Sequence, residues 1–69
     1  MTKTGKGAAN AGCPAAEPNA LSWSATQVVR YSAPLHGSSV ARQGQAATGW
    51  RIKALNRKAA VTLYLICGP

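Results

Sequence analysis

The chain has 69 residues, of which 46% are hydrophobic, and a net charge of +7 at pH 7. A chain of this length forms one domain at most and buries only about 60% of the surface that it exposes when unfolded. It contains no phenylalanine, and much of its hydrophobic fraction is alanine, which buries little surface per residue. A self-sufficient core is therefore thin, and we expect a disulfide or oligomerisation to supplement it.

Eight lysines and arginines stand against a single acidic residue, Glu17. The electrostatic field of this positive net charge attracts phosphate, anionic lipid headgroups and acidic proteins. The alternative is that like charge merely keeps the surface soluble. The cations are densest between Arg51 and Lys58, and the candidate residues for an anionic partner are Arg30, Arg51, Lys53, Arg57 and Lys58.

Residues 1–12 contain small and polar residues with nothing to bury, which predicts a flexible basic arm. Residues 13–69 are then a single β-domain. It opens on Pro14 and Pro18, which disfavour helix and favour extended or turn structure.

The middle of the chain reads as short strands and turns. Residues 21–24 alternate apolar and polar side chains, and residues 26–31 are β-branched and aromatic, with Val29 and Tyr31 expected on one face. Pro34 and Gly37 indicate a turn or irregular connection over residues 32–37. A weak strand is expected over 38–42, followed by a loop over 43–49.

The last third gives the clearest pattern. Residues 49–55 alternate, with apolar residues on one face and Arg51 and Lys53 on the other, which predicts a half-buried strand with a basic outer face. Residues 59–67 predict a central strand covered on both faces, and the two are expected to form a hairpin. A helix over 50–66 is the main alternative, but the β-branched residues favour strand. The predicted core residues are Trp50, Ile52, Val61, Leu63 and Leu65. The predicted fold is an all-β, small antiparallel sandwich or barrel-like sheet.

Two cysteines, Cys13 and Cys67, lie near opposite ends of this domain. They are too few for a zinc site, which uses four ligands at short spacings. A disulfide closing so long a loop would contribute about 4 kcal/mol in the chain-entropy model. Two free thiols in a reducing compartment are the alternative, because the compartment controls the redox state.

The frame Cys13-Pro14-Ala15, then Gly49-Trp50, then Asn56 and finally residues 61–67 (VTLYLIC) resembles a recurrent module of bacterial secreted and surface proteins. The resemblance covers about 55 residues loosely. It implies a compact β-domain in which Cys13 pairs with Cys67 and clips the first element to the last strand. Ala16 departs from the glycine that is usual there, and the glycine cluster that normally follows the first strand is missing. The resemblance implies no catalytic residues.

Catalysis is not expected, because the chain has no aspartate and cannot form a Ser-His-Asp arrangement. The only conceivable set is Glu17, His36 and Ser39. With one acidic side chain, a magnesium or calcium site would have almost no side-chain ligands. No metal, cofactor or small-molecule substrate is expected. The longest apolar run, residues 59–67, is too short for a membrane span.

Two functions follow from these observations. The first is a non-catalytic structural or interaction module, homo-oligomeric or decorating a larger surface such as an envelope, virion or filament. The second is a small basic nucleic-acid-binding domain. No apolar segment follows Lys3 and Lys6, so no secretory signal is expected. An extracellular location, or one at a particle or cell surface, is nevertheless favoured, and a cytoplasmic one stays open.

Overall fold

The chain folds into two antiparallel β-sheets that pack face to face, in a computed structural model that describes residues 1–69. No helix is present, which confirms the predicted all-β class. One sheet has the strand order β1-β7-β3 and the other has the order β2-β6-β4-β5. The strands are β1 (Thr2–Lys6), β2 (Ala8–Gly12), β3 (Asn19–Ala25), β4 (Val29–His36), β5 (Ser39–Val40), β6 (Gly49–Ala54) and β7 (Ala60–Gly68).

Strands β6 and β7 occupy the centre of the fold, since β7 lies between β1 and β3 in one sheet and β6 lies between β2 and β4 in the other. On one side, β1 runs along β7 and β2 continues along β6. On the other side, β3 runs along β7 and β4 continues along β6. The fold is therefore a ribbon of three antiparallel stretches that is bent double. The central stretch is β6 and β7, the outer stretches are β1 with β2 and β3 with β4, and each stretch contributes one strand to each sheet.

The bend between β1 and β2 falls at Gly7, which has a positive φ of 73°. Its N–H donates to the carbonyl of Ala59 (2.9 Å), and its carbonyl accepts from the N–H of Ala54 (2.8 Å). Gly7 thereby binds both the end of β6 and the chain that leads into β7. A Cβ at this position would lie 2.5 Å from the carbonyl oxygen of Arg57, so both space and backbone conformation require glycine.

The predicted hairpin between residues 49–55 and 59–67 is wrong, because β6 and β7 lie in different sheets. Within a single hairpin, the apolar faces of both strands would need a further layer to cover them. Bending the chain between the strands turns these faces toward each other. Ile52 of β6 and Val61 and Leu63 of β7 consequently become fully buried.

Residues 1–12 form β1 and β2 instead of the flexible arm predicted for them. The composition contained nothing large to bury, but the side chains that face inward need little space. Ala9 and Ala11 are buried against the core. The hydroxyls of Thr4 and Thr62 are hydrogen-bonded at 2.8 Å across β1 and β7. Backbone pairing on an edge thus orders β1 and β2, neither of which has a large apolar residue.

The turn predicted over residues 32–37 is also wrong, since β4 continues through Pro34 to His36. Pro34 faces Trp50 in the register, yet its carbonyl accepts from the N–H of Ala41, on the side away from β6. The N and C=O of a strand residue point to the same side. The missing N–H of Pro34 therefore removes no hydrogen bond from the pairing of β4 with β6, so the proline is tolerated within the strand.

The core is small. Nine hydrophobic residues are buried, four of them alanines, and the largest fully buried side chains are Ile52, Leu63 and Val61. Of the predicted core residues, Leu65 is also buried and Trp50 is half-buried. The main cluster consists of Ala9, Ala11, Ile52, Ala54, Val61, Leu63 and Leu65.

The predicted disulfide between Cys13 and Cys67 is confirmed, with a Cα–Cα distance of 5.8 Å. Cys13 follows β2, and its N–H donates to the carbonyl of Thr48, just before β6 (2.8 Å). Cys67 lies near the end of β7 in the other sheet. Both are far from the bend at Gly7. The disulfide therefore joins the two sheets at the end of the ribbon opposite the bend, which we call the open end.

Replacing Cys67 with Ser is expected to lower the free energy of unfolding by about 4 kcal/mol, because the disulfide spans a sequence separation of 54 residues. Denaturant unfolding followed by circular dichroism measures the loss. The native chain in reductant should unfold at the midpoint of the variant, and the variant should not respond to reductant. Equal stabilities under oxidising conditions would contradict a stabilising closure.

Replacing Gly7 with Ala is expected to cost more than about 2 kcal/mol, because the left-handed backbone and the contact with Arg57 each oppose a Cβ. Two glycines provide matched controls in the same denaturant experiment. Gly37 has a φ of 64° in open space and should lose only about 1 kcal/mol. Gly12 has no neighbour within 4 Å of its Cβ position and should lose little. A Gly7 variant as stable as the Gly37 variant would refute the steric argument.

Candidate interaction surfaces

The three residues of the only conceivable catalytic set, Glu17, His36 and Ser39, lie at the open end of the ribbon. Ser39 faces His36 in the pairing of β5 with β4, and Glu17 lies in the turn that follows β2. The Nδ1 of His36 donates to the carbonyl of Ala46 at 2.8 Å. Its hydrogen bond therefore goes to the backbone of the following loop and to neither a carboxylate nor a hydroxyl. No group of three or more His, Cys, Asp or Glu side chains that could hold a metal is present.

The outer face of the four-stranded sheet carries positive charge around an exposed tyrosine. Arg51 and Lys53 point away from the core on β6, as their alternation with Trp50 and Ile52 predicts. Tyr31 of β4 lies opposite Lys53 in the register, and the Lys53 Nζ is 5.4 Å from the centre of the Tyr31 ring. Asn10 of β2 faces Arg51 from the other side. We call Asn10, Tyr31, Arg51 and Lys53 the basic face.

Tyr31 reaches this face through an irregularity in β4. The register of β4 against β6 shifts between Val29 and Tyr31. Val29 pairs with Ala54, which is buried, whereas Tyr31 pairs with Lys53, which is exposed. The prediction that Val29 and Tyr31 share a face is therefore wrong, because the bulge breaks the period of two.

The other candidate cations lie at the bend of the ribbon. Arg57 and Lys58 belong to the connection between β6 and β7, where the N–H of Lys58 donates to the Oδ1 of Asn56 (3.0 Å). The Nε of Arg30 donates to the carbonyl of Ala54 at 3.2 Å, at the end of β6. The five predicted cations thus divide between the basic face and the bend. Glu17, the one acidic residue, lies after β2 near the open end.

The four aromatic rings divide into two pairs with different surroundings. Trp23 and Trp50 stack with ring centres 6.4 Å apart, are half-buried and pack against the core. The Nε1 of Trp50 is buried and has no hydrogen-bond partner in the protein. Tyr31 and Tyr64 are 41% and 44% exposed, on the outer faces of opposite sheets. The exposed rings available for stacking are therefore the tyrosines.

The outer face of the three-stranded sheet is almost free of charge. Its exposed apolar residues are Tyr64 and Ile66 of β7, which are 44% and 59% exposed, and Leu21 of the edge strand β3, which is 63% exposed and lies over Gly68. Its one charged side chain, Lys6, is at the corner beside the bend, and the ammonium group of Met1 lies at the β1 edge against Leu65. We call the following residues the neutral face: Thr2, Thr4, Leu21, Ser22, Ser24, Thr62, Tyr64 and Ile66.

The sequence predicted β7 as a central strand, but it also predicted cover on both of its faces. β7 does have a neighbour on each side. Its outer residues, however, face solvent, because no element lies over the three-stranded sheet. The alternation of Thr62, Tyr64 and Ile66 with buried residues was the available signal for an exposed and uncharged surface.

No protein-family model matches the chain, and no curated protein or solved structure is significantly similar to it. The resemblance to cysteine-clipped β-modules therefore rests on the residues that carry it in the sequence. None of the seven elements is a helix, so no helix that could cross a membrane is present.

Proposed function

We propose that the chain is a non-catalytic interaction module that assembles with copies of itself or attaches to a larger surface, such as an envelope, virion or filament. The observation that supports this proposal is the neutral face. It is a pleated surface with exposed Leu21, Tyr64 and Ile66 and without a charged residue at its centre. Exposed apolar side chains grouped on one uncharged face are typical of surfaces that contact another macromolecule.

The distribution of charge supports the same role. At a net charge of +7, two copies repel each other in most orientations. Arg51 and Lys53 lie on the opposite sheet, so contact through the neutral face keeps these cations apart. Like charge elsewhere on the surface would then select the neutral face as the site of contact between copies.

The size of the neutral face limits the strength of such a contact. Three strands of this length present a surface of about 15 Å by about 20 Å, or ~300 Å². A standard interface takes about 800 Å² from each partner. A dimer through this face alone is therefore expected to be weak, and repeated contacts in an assembly or on a larger surface would hold the module more firmly.

The proposed location is outside the cell or on the surface of a cell or particle. The disulfide between Cys13 and Cys67 supports it, because disulfides persist in oxidising compartments and are rare in reducing ones.

Replacing Ile66 with Lys is expected to abolish self-association, since it places a charge on the middle strand of the neutral face, among its exposed apolar residues. Sedimentation velocity over micromolar to millimolar concentrations measures the assembly, which should strengthen in the native chain as salt screens its net charge. The matched control is Leu55→Lys, because Leu55 is 64% exposed and lies in the connection at the bend. A native chain that stays monomeric over this range would contradict self-assembly, as would equal effects of the two variants.

Binding of single-stranded nucleic acid is a second candidate function, and the basic face is the observation that favours it. Arg51 and Lys53 can contact phosphates, and the exposed ring of Tyr31 can stack on a base. The Lys53 ammonium already lies over this ring, so a base would compete with it for the exposed ring face. The face is flat and narrow, and the one groove found touches it only at Asn10, away from Tyr31, Arg51 and Lys53.

Replacing both Arg51 and Lys53 with Gln is expected to weaken binding of a labelled single-stranded oligonucleotide. Two fewer phosphate contacts should make the slope of log affinity against log salt less steep by about 1.4. Fluorescence anisotropy at several salt concentrations measures the slope. The control is the double variant Lys3→Gln, Arg42→Gln, which has the same net charge. Equal slopes in the two variants would point to non-specific attraction, and no binding at low salt would eliminate this function.

A further inference from the structure

The edge formed by β1 is unpaired along its outer side. Met1 and Leu65 exchange two backbone hydrogen bonds, of 2.9 and 2.8 Å. Because paired residues of an antiparallel ladder alternate between bonded and non-bonded positions, Lys3 and Gly5 also direct their backbone groups toward β7. The backbone N–H and C=O groups of Thr2, Thr4 and Lys6 consequently point away from the sheet. No backbone or side-chain partner inside the protein satisfies them.

A groove of about 310 Å³ adjoins this edge, where the free sides of β1 and β2 meet below the bend. Its wall on one side is β1, and small side chains line the other side. Gly5 makes the approach of the two strands possible, because a Cβ there would lie 2.1 Å from the carbonyl oxygen of Ala8. The lining residues are Lys3, Thr4, Gly5, Ala8, Ala9 and Asn10.

The two lysines of β1 project from opposite faces of the three-stranded sheet. Lys6 pairs with Ala60 and faces outward with Thr2 and Thr4, whereas Lys3 pairs with Leu63 and faces the groove side. Both side chains are exposed. A strand added beside β1 would therefore meet a cation on each of its two faces.

We infer that β1 accepts an extended, acidic segment of a partner protein as an added strand of the three-stranded sheet. The backbone of the segment pairs with Thr2, Thr4 and Lys6, its small apolar side chains lie in the groove, and its carboxylates approach Lys3 and Lys6. Main-chain hydrogen bonds supply affinity in this mode, and the side chains of alternate residues supply selectivity. The inference rests on the proposed role as an interaction module, but it uses a surface other than the neutral face.

Charge complementarity selects this occupant over a second copy of the chain. Pairing β1 with the β1 of another copy would bring four lysines together. Lysines on an edge strand oppose pairing of like chains, which is how many proteins protect such edges. The same lysines attract a segment that carries carboxylates, and the chain itself has only one acidic side chain, Glu17.

The probe is a capped nine-residue peptide of valine and threonine with glutamates at both odd and even positions, so that carboxylates project from both faces of the strand. It is compared with the same peptide carrying glutamine in place of glutamate. Titration followed by nuclear magnetic resonance gives the affinity and the amide hydrogen exchange in one experiment. Binding should slow the exchange of the Thr4 and Lys6 amides, which are free in the unbound protein. The amides of Lys3 and Gly5 already face β7 and should change little. The glutamine peptide should bind at least tenfold more weakly at low salt.

Replacing Thr4 with Pro removes one outward N–H and the hydroxyl hydrogen bond to Thr62, but no backbone hydrogen bond between β1 and β7. Proline is tolerated at such an edge position, so the fold should persist while peptide affinity falls at least tenfold. The control is Gly12→Pro, which removes an outward N–H from β2 at a position outside the groove and should leave the affinity within about threefold. Should Thr4→Pro fail to fold, the double variant Lys3→Gln, Lys6→Gln tests the charge contacts and should also lose tenfold.

Unchanged exchange at Thr4 and Lys6 would overturn the inference, and so would equal binding of the two peptides. Protection of the same amides in concentrated protein without peptide would identify a second copy as the occupant and would also overturn it. Self-association through Ile66 is measured separately. Failure of the peptide experiment with self-association intact therefore removes only this inference, whereas loss of self-association alone removes the self-assembly form of the proposed function.

Discussion

The two hydrogen bonds made by the backbone of Gly7 are the constraint on which the two-sheet arrangement depends. They attach the bend of one outer stretch to both sides of the bend in the central stretch, at Ala54 and Ala59. The chain therefore crosses from one sheet to the other at the same height in both stretches, at Gly7 and between Ala54 and Ala59. As a result, the inner faces of the two sheets lie opposite each other. The disulfide between Cys13 and Cys67 closes the opposite end. Between these two closures, a core composed largely of alanine, valine and leucine is enough.

The alternation of side chains predicted where strands occur but not how they pair. Arg51 and Lys53 share the outer face of β6, as the period of two indicates. The same period is compatible with a hairpin and with two strands in facing sheets, since both leave Ile52 and Val61 on an apolar face. The choice between them is made by Gly7, which lies more than 40 residues before β6 in the sequence. A pattern read within a window of adjacent residues contains no information about that contact.

The surfaces were predictable only where the chain is regular. Tyr31 joins Lys53 because of the bulge after Val29, and nothing in the sequence of β4 marks that bulge. The edge of β1 was missed for a different reason. Small residues such as Gly5 and Ala9 indicate flexibility when they are judged by composition, whereas here their lack of bulk permits the close approach of β1 and β2. The disulfide was predictable because its two residues, Cys13 and Cys67, can be identified directly in the sequence.

A thin core has a consequence for how such a domain can interact. Burial is restricted to one face of each strand, so residues such as Tyr64, Ile66 and Lys53 contribute little to stability and remain available for contacts. A larger domain would cover the outer face of the three-stranded sheet with another layer, as the apolar residues of β7 alone would favour. Here the covalent closure supplies stability that a further layer would otherwise provide. The neutral face, the basic face and the edge of β1 are thus left uncovered on one small protein, and their different chemistries direct different partners to them.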